Sequence, residues 1–299
     1  MPAGSDNRKS HSGSLKSRWG DLLRALTLVV LLVPGCASSR AHLANGLPAR
    51  HQVRSHQVLL LSDEAIPAED EILEELGAIR ERVTQELGVP PGEREVVVYL
   101  FADRERYAAY MRKHHPDLPA RRAFFIGTPK ELAVYAHWGE HVLVDLRHEY
   151  THGLLHAAVG NVPIWLDEGI AEYFEVGRDT PGSVNPEHLG RLVQATQHGW
   201  RPDLQRLEQL EQVDDMQRED YQEAWAWVHY LLNEDPAGPQ LISGYLNELR
   251  RGQVPVDISQ RLGMQLPSTQ SQLAQYVSQI GAGAIAPVTY RSSSEHHEH

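Results

Sequence analysis

Every strand-like run in this 299-residue chain lies before residue 140, and beyond that point apolar residues recur only at helical spacing. An alternating β-α-β-α stretch followed by helices alone restricts the fold to the α+β class, a small mixed β-sheet with helices followed by a mainly helical C-terminal part. Val53 to Ser62, with Val58-Leu59-Leu60-Leu61 at its centre, predicts one strand. Pro67 and its acidic neighbours then open a helix carrying Ile72, Leu73, Leu76, Ile79 and Val83 on one face, and the Gly/Pro cluster of residues 88–92 ends it. Glu95 to Phe101 is β-branched and aromatic, which predicts a buried strand, and Asp103 is placed to cap a helix reaching Lys113. Arg122 to Gly127 and Leu132 to His137, parted by Thr128-Pro129-Lys130, predict a hairpin-like pair that completes the sheet. Helices are expected over 145–159, 167–176, 186–198, 216–233, 237–250 and 269–279. The expected organisation is an N-terminal α/β part over 53–144, a helical part over 145–280 and a disordered tail over 281–299.

Charge and cysteine usage narrow the function. Lys and Arg number 28 against 40 Asp and Glu, a formal charge of −12, which opposes phosphate backbones and argues against nucleic acid as a partner. The single cysteine, Cys36, excludes disulfide frameworks, CxxC redox chemistry and cysteine-rich zinc modules, so any metal site must use His and carboxylates. Residues 1–36 begin polar with Arg8, Lys9, Lys16 and Arg18, then turn apolar from Leu22 to Val33, too short a run to span a bilayer and of the form of an export signal. Its end, Leu32-Val33-Pro34-Gly35-Cys36, resembles the lipobox of bacterial lipoproteins. That resemblance implies lipidation of Cys36, a membrane anchor through the lipid, a tether over 37–52 and a location in the bacterial cell envelope facing the periplasm or exterior. The leader holds five of the Lys and Arg and two of the Asp, leaving a mature chain of net −15.

The chemistry centres on residues 148–152, His-Glu-Tyr-Thr-His, inside the apolar-periodic stretch Val142 to Val159. On a helix, positions i and i+4 share a face, so the imidazoles of His148 and His152 can converge on one ion such as zinc. Glu149 then lies beside the metal without binding it, placed to take a proton from activated water and pass it to a leaving amine. A short loop downstream, Trp165-Leu166-Asp167-Glu168-Gly169-Ile170-Ala171-Glu172-Tyr173-Phe174-Glu175 sets Glu168 and Glu172 one turn apart on a second helix. Either could complete a His2Glu site. Glu168 is assigned as the third ligand, with Glu172 accepting the free N–H of a ligand imidazole, or serving as the ligand in its place. His156 lies about 12 Å along the helix axis from His148, too far to share an ion with it, and is read as packed or exposed.

The pairing of HEYTH with WLDEGIAEYFE resembles the gluzincin zinc peptidases, most closely the bacterial peptidase MA-like domain proteins, over about residues 54 to 280. The resemblance implies a thermolysin-like architecture, one Zn2+ per chain and hydrolysis of peptide or protein substrates. It maps the family's ligands and base onto His148, His152, Glu168 and Glu149. Tyr221-Gln222-Glu223-Ala224-Trp225-Ala226-Trp227 is similar to an aminopeptidase segment whose tyrosine stabilises the tetrahedral oxyanion, which implies that role for Tyr221. Trp225 and Trp227 themselves are expected in the core. Two departures stand out: only 15 residues separate His152 from Glu168, against 19 for Glu172, and no Gly-x-Met-Glu-Asn segment precedes the pentad. An amine-gripping carboxylate therefore has no candidate, and a substrate is expected instead along the edge of the strand Leu132 to Trp138. The rival function is a non-catalytic, metal-stabilised envelope scaffold or peptide-binding protein.

Overall fold

The computed structural model describes residues 45–67, 70–177 and 184–285. The leader with Cys36, the first part of the expected tether and the tail from residue 286 lie outside the described residues.

Five strands form one mixed sheet in the order β1-β2-β3-β5-β4. β1 (His51–Ser55) and β2 (Val58–Ser62) are an antiparallel hairpin where the sequence predicted a single strand, and β1 begins inside the expected tether. The chain reverses at His56, which takes a positive φ of 48°. No Gly or Asn-Gly pair marks this turn, so the reversal has no sequence signature of the usual kind. α1 (Glu71–Leu87) starts where Asp70 accepts the Ile72 N–H and buries Ile72, Leu73, Leu76, Ile79, Val83 and Leu87. β3 (Val96–Phe101) is buried throughout. α2 (Arg104–His114) follows, capped by Asp103 as expected. β4 (Phe124–Gly127) and β5 (Leu132–His137) are the second antiparallel pair.

β2, β3 and β5 run parallel, which explains their continuous apolar runs: both faces are covered. Val96, Val98 and Leu100 of β3 face the main core, while Val97, Tyr99 and Phe101 face a smaller cluster closed by Tyr107 and Met111 of α2. The main core is capped by α1 and by α3 (Val142–Ala158), which crosses close over β3 because Gly153 leaves room: a Cβ there would stand 2.7 Å from a Val96 methyl.

The remaining chain is helical, with α4 (Ile164–Phe174), α5 (Pro186–Gln197), the short α6 (Leu204–Leu207), α7 (Arg218–Asn233), α8 (Gly238–Arg250), the short α9 (Ile258–Leu262) and α10 (Leu266–Ile285). α10 runs to Ile285, past the expected start of the tail at 281, so that segment is helical at its beginning. Among the described residues no helix is long and apolar enough to cross a membrane.

α4 is buried from Trp165 through Phe174 and packs on α7, whose Trp225 and Trp227 are fully buried as expected. The two helices meet at Gly169, where a Cβ would lie 2.7 Å from the Ala224 carbonyl oxygen and 2.9 Å from a Val228 methyl. Backbone cannot yield as a side-chain tip does. Gly169→Ala is therefore expected to lower stability by about 1–3 kcal/mol despite alanine's better helix propensity, read as a fall in denaturation midpoint. An unchanged midpoint would mean that this contact does not fix the two helices.

Candidate functional site

α3 carries His148 and His152 one turn apart, and their Nε2 atoms lie 3.3 Å from each other. After the turn through Pro163, α4 brings Glu168 in from the side, its Oε2 at 3.6 Å from each of those nitrogens. Donors bound tetrahedrally at about 2.0–2.1 Å stand about 3.3–3.4 Å apart, so the triangle has the dimensions of one face of a zinc site. Glu168 Oε2 is buried and accepts no hydrogen bond, an arrangement that is costly unless a cation takes the lone pairs. The donor set, two imidazoles and a carboxylate, suits a divalent transition ion such as zinc or iron rather than calcium or magnesium. Burial works against the Glu168 anion, but the two imidazoles outweigh it and hold its pKa far below the ordinary value. Burial likewise opposes both imidazolium forms. Glu168 and Glu175 raise His148 well above its usual pKa, and Asp167 with Glu168 pushes His152 up to about 10.

The far nitrogens of both imidazoles face carboxylates. His148 Nδ1 lies 3.2 Å from Glu175 Oε2, and His152 Nδ1 lies 3.1 Å from Asp167 Oδ2. The Glu175 contact would place a proton on His148 Nδ1 and turn its Nε2 lone pair inward, whereas His152 Nδ1 stands beside Asp167 without hydrogen-bond geometry. Glu175 is itself fixed by the Asn185 amide at 2.7 Å. The expectation that Glu172 accepts a ligand N–H is corrected: its Oε2 pairs with His188 Nε2 at 2.7 Å, because α5 carries His188 up against that turn of α4. Glu172 does stand with Glu175 near His148, but among the described residues only Glu168 joins both imidazoles. Asp167 and Glu175 are the residues that sequence reasoning missed. The signal available was positional: Glu175 follows Glu168 by seven residues, two turns along one helix face. His156, expected to be packed or exposed, is half-buried, with Nε2 3.1 Å from the same Asp167 oxygen.

Glu149 lies next to this triangle but outside it. Its Oε2 accepts the Phe125 N–H of β4 at 2.6 Å, and burial raises its pKa above the ordinary value. That contact also corrects the expected substrate edge. β5 is paired on both sides, with β3 and with β4, so it has no free edge; the outer strand beside the site is β4. The hairpin responsible is closed by Thr128 N–H to the Glu131 carbonyl at 2.8 Å.

A cleft of about 600 Å³ opens between β4, the loop before it and the helices α3 and α4, with Glu149, His148, His152 and Glu168 on its wall. Tyr221, in the first turn of α7, borders an adjoining space together with His148, Glu168 and Arg121. Arg121 Nη2 points to Tyr221 Oη at 3.5 Å. Nothing in the sequence marked Arg121, a loop residue whose position depends on where β4 docks.

Residues 142–252, from the start of α3 beyond the end of α8, match the profile of a family described as a protein of unknown function (DUF1570). The match covers little more than a third of the chain and takes in both site helices and Tyr221. No curated protein matches the chain.

Proposed function

We propose that this chain is a zinc-dependent peptidase of gluzincin type with a thermolysin-like arrangement, exported and lipid-anchored at Cys36, acting on peptides at the bacterial cell envelope. The observation that carries the reading is the triangle of His148, His152 and Glu168 at 3.3, 3.6 and 3.6 Å with the Glu149 carboxylate beside it. Those three residues would hold the ion. When bound, zinc supplies Lewis acidity that lowers the pKa of water towards about 7 and polarises a carbonyl. Glu149 has one oxygen anchored by Phe125, which leaves Oε1 to take the proton of the attacking water and deliver it to the leaving amine. Tyr221 donates its hydroxyl hydrogen to the developing oxyanion, while the Arg121 guanidinium on its oxygen keeps that hydrogen turned outward. Glu175 fixes the orientation of the His148 imidazole, and Asp167 lies against that of His152 as a neighbouring charge. Apart from the Phe125 N–H, which Glu149 takes, the outer edge of β4 offers backbone groups along which an extended peptide can lie.

A scaffold that merely uses zinc for stability has no need of Glu149, and such sites close all four positions with protein ligands, whereas three converge here among the described residues. The test is zinc content per chain together with hydrolysis of a mixed peptide library, with and without chelator. Near-stoichiometric zinc with chelator-sensitive cleavage is expected. Bound zinc with no cleavage of any peptide would favour the scaffold.

A further inference from the structure

Beside the main cleft lies a second cavity of about 240 Å³, which shares His115, Pro116, Leu118, Arg121 and Phe124 with it. Four arginines, Arg104, Arg112, Arg121 and Arg122, line this cavity and no Asp or Glu does. Arg122 is neutralised by Asp145 at 2.7 Å. Among the described residues, no carboxylate forms an ion pair with Arg104, Arg112 or Arg121; Arg121 meets only the Tyr221 hydroxyl and the face of Phe124. Arg104 and Arg112 lie eight residues apart on one face of α2. Arg104 stands in the first turn of that helix, where the helix dipole disfavours a cation. No carboxylate lines the cavity itself, so guanidinium groups are the charged groups on its wall, with Glu149 and Glu168 of the adjoining site acting on Arg121 from beyond it.

Guanidinium groups without internal partners present forks that fit a carboxylate with two parallel N–H bonds. We propose that this arginine-lined cavity is the subsite for a carboxylate of the peptide substrate, which makes the enzyme selective for peptides with an anionic group close to the scissile bond. The proposal rests on the peptidase reading. Arg121 borders both this cavity and the space shared by Tyr221, His148 and Glu168. With about 3.3–3.6 Å of extended chain per residue, the recognised carboxylate falls within a few residues of the reacting carbonyl. It can come from an Asp or Glu side chain or from a free C-terminus. The overall negative charge works against acidic peptides at long range, and this local wall reverses that preference at contact.

Four octapeptides labelled with an uncharged BODIPY dye separate the cases: Glu or Gln at two central positions, each as free acid and as C-terminal amide. Binding is read by anisotropy on the full chain carrying Glu149→Gln, which removes turnover from the measurement, and hydrolysis is read on the parent. At least about tenfold tighter binding of a carboxylate-bearing peptide over its neutral counterpart is expected. A Glu-over-Gln preference identifies a side chain as the source, and an acid-over-amide preference identifies the C-terminus. Arg104→Gln with Arg112→Gln, both at exposed positions outside the proposed catalytic groups, should reduce the preference to within about twofold and leave hydrolysis of the Gln amide peptide unchanged. Equal binding of all four peptides, or a preference that survives the double substitution, overturns the proposal. Selective binding without hydrolysis removes the peptidase reading and keeps the subsite; hydrolysis without selectivity does the reverse.

Discussion

Glu149→Gln is expected to retain one zinc per chain and to lower kcat/KM for peptide hydrolysis by about 10²–10⁴-fold. The side-chain amide matches the carboxylate in shape and keeps an oxygen to accept the Phe125 N–H, so the contact that now spans 2.6 Å can survive. What the amide cannot do is take a proton from water or carry it to the departing nitrogen. The site places the burden on this one group. Asp167 and Glu175 are engaged by the imidazoles, Glu172 by His188, and Glu168 by its position between both Nε2 atoms, which leaves Glu149 as the carboxylate free to cycle a proton. Burial raises its pKa above the ordinary carboxylate value. Zinc content by elemental analysis and turnover of a cleaved peptide decide the matter together. Loss of zinc in the variant would place Glu149 among the ligands, and undiminished turnover would remove it from the chemistry.

The features legible in the sequence were those recorded by local spacing. HEYTH fixed two imidazoles on one face of α3, and WLDEGIAEYFE set Glu168 on α4 within reach of them, because four residues make about one helical turn in any helix. The strands β3 and β5 and the cap at Asp103 were legible for the same reason, whereas the cap at Asp70, three residues past Pro67, was not singled out. Whatever depends on distant chain segments was not. Glu172 was expected to orient a ligand because it sits one turn from Glu168, but α5 delivers His188 to that carboxylate instead, and the packing of α5 against α7 has no trace in the local pattern of α4. The exposed edge belongs to β4 rather than β5 because the hairpin folds back on the outer side of the sheet, a choice the alternation of residues cannot encode. Arg121 acquires neighbours only once β4 and α7 have both docked.

Zinc is expected to raise the melting temperature of the metal-free chain by about 8–16 °C at a free concentration near a thousand times its dissociation constant, which corresponds to about 4 kcal/mol of added stability in a body of this size. Glu168→Ala should abolish that rise, and Glu172→Ala should preserve it. The decisive quantity is the zinc-dependent increment, because both substitutions change the metal-free baseline for reasons of their own. Removing Glu172 leaves His188 without its acceptor in a largely buried position, so that baseline falls. Removing Glu168 deletes a buried anion that two imidazoles hold in its charged form, and its baseline falls as well. Only the increment reports ligation, since an ion held by His148 and His152 alone lacks the third donor that sets both affinity and geometry. The geometric case for Glu168 is that one oxygen lies 3.6 Å from both Nε2 atoms, whereas Glu172 groups with His148 and Glu175 and, among the described residues, not with His152. An increment that vanishes in Glu172→Ala and persists in Glu168→Ala would therefore demand a different arrangement of α3 against α4, with the carboxylate of the later turn facing both imidazoles.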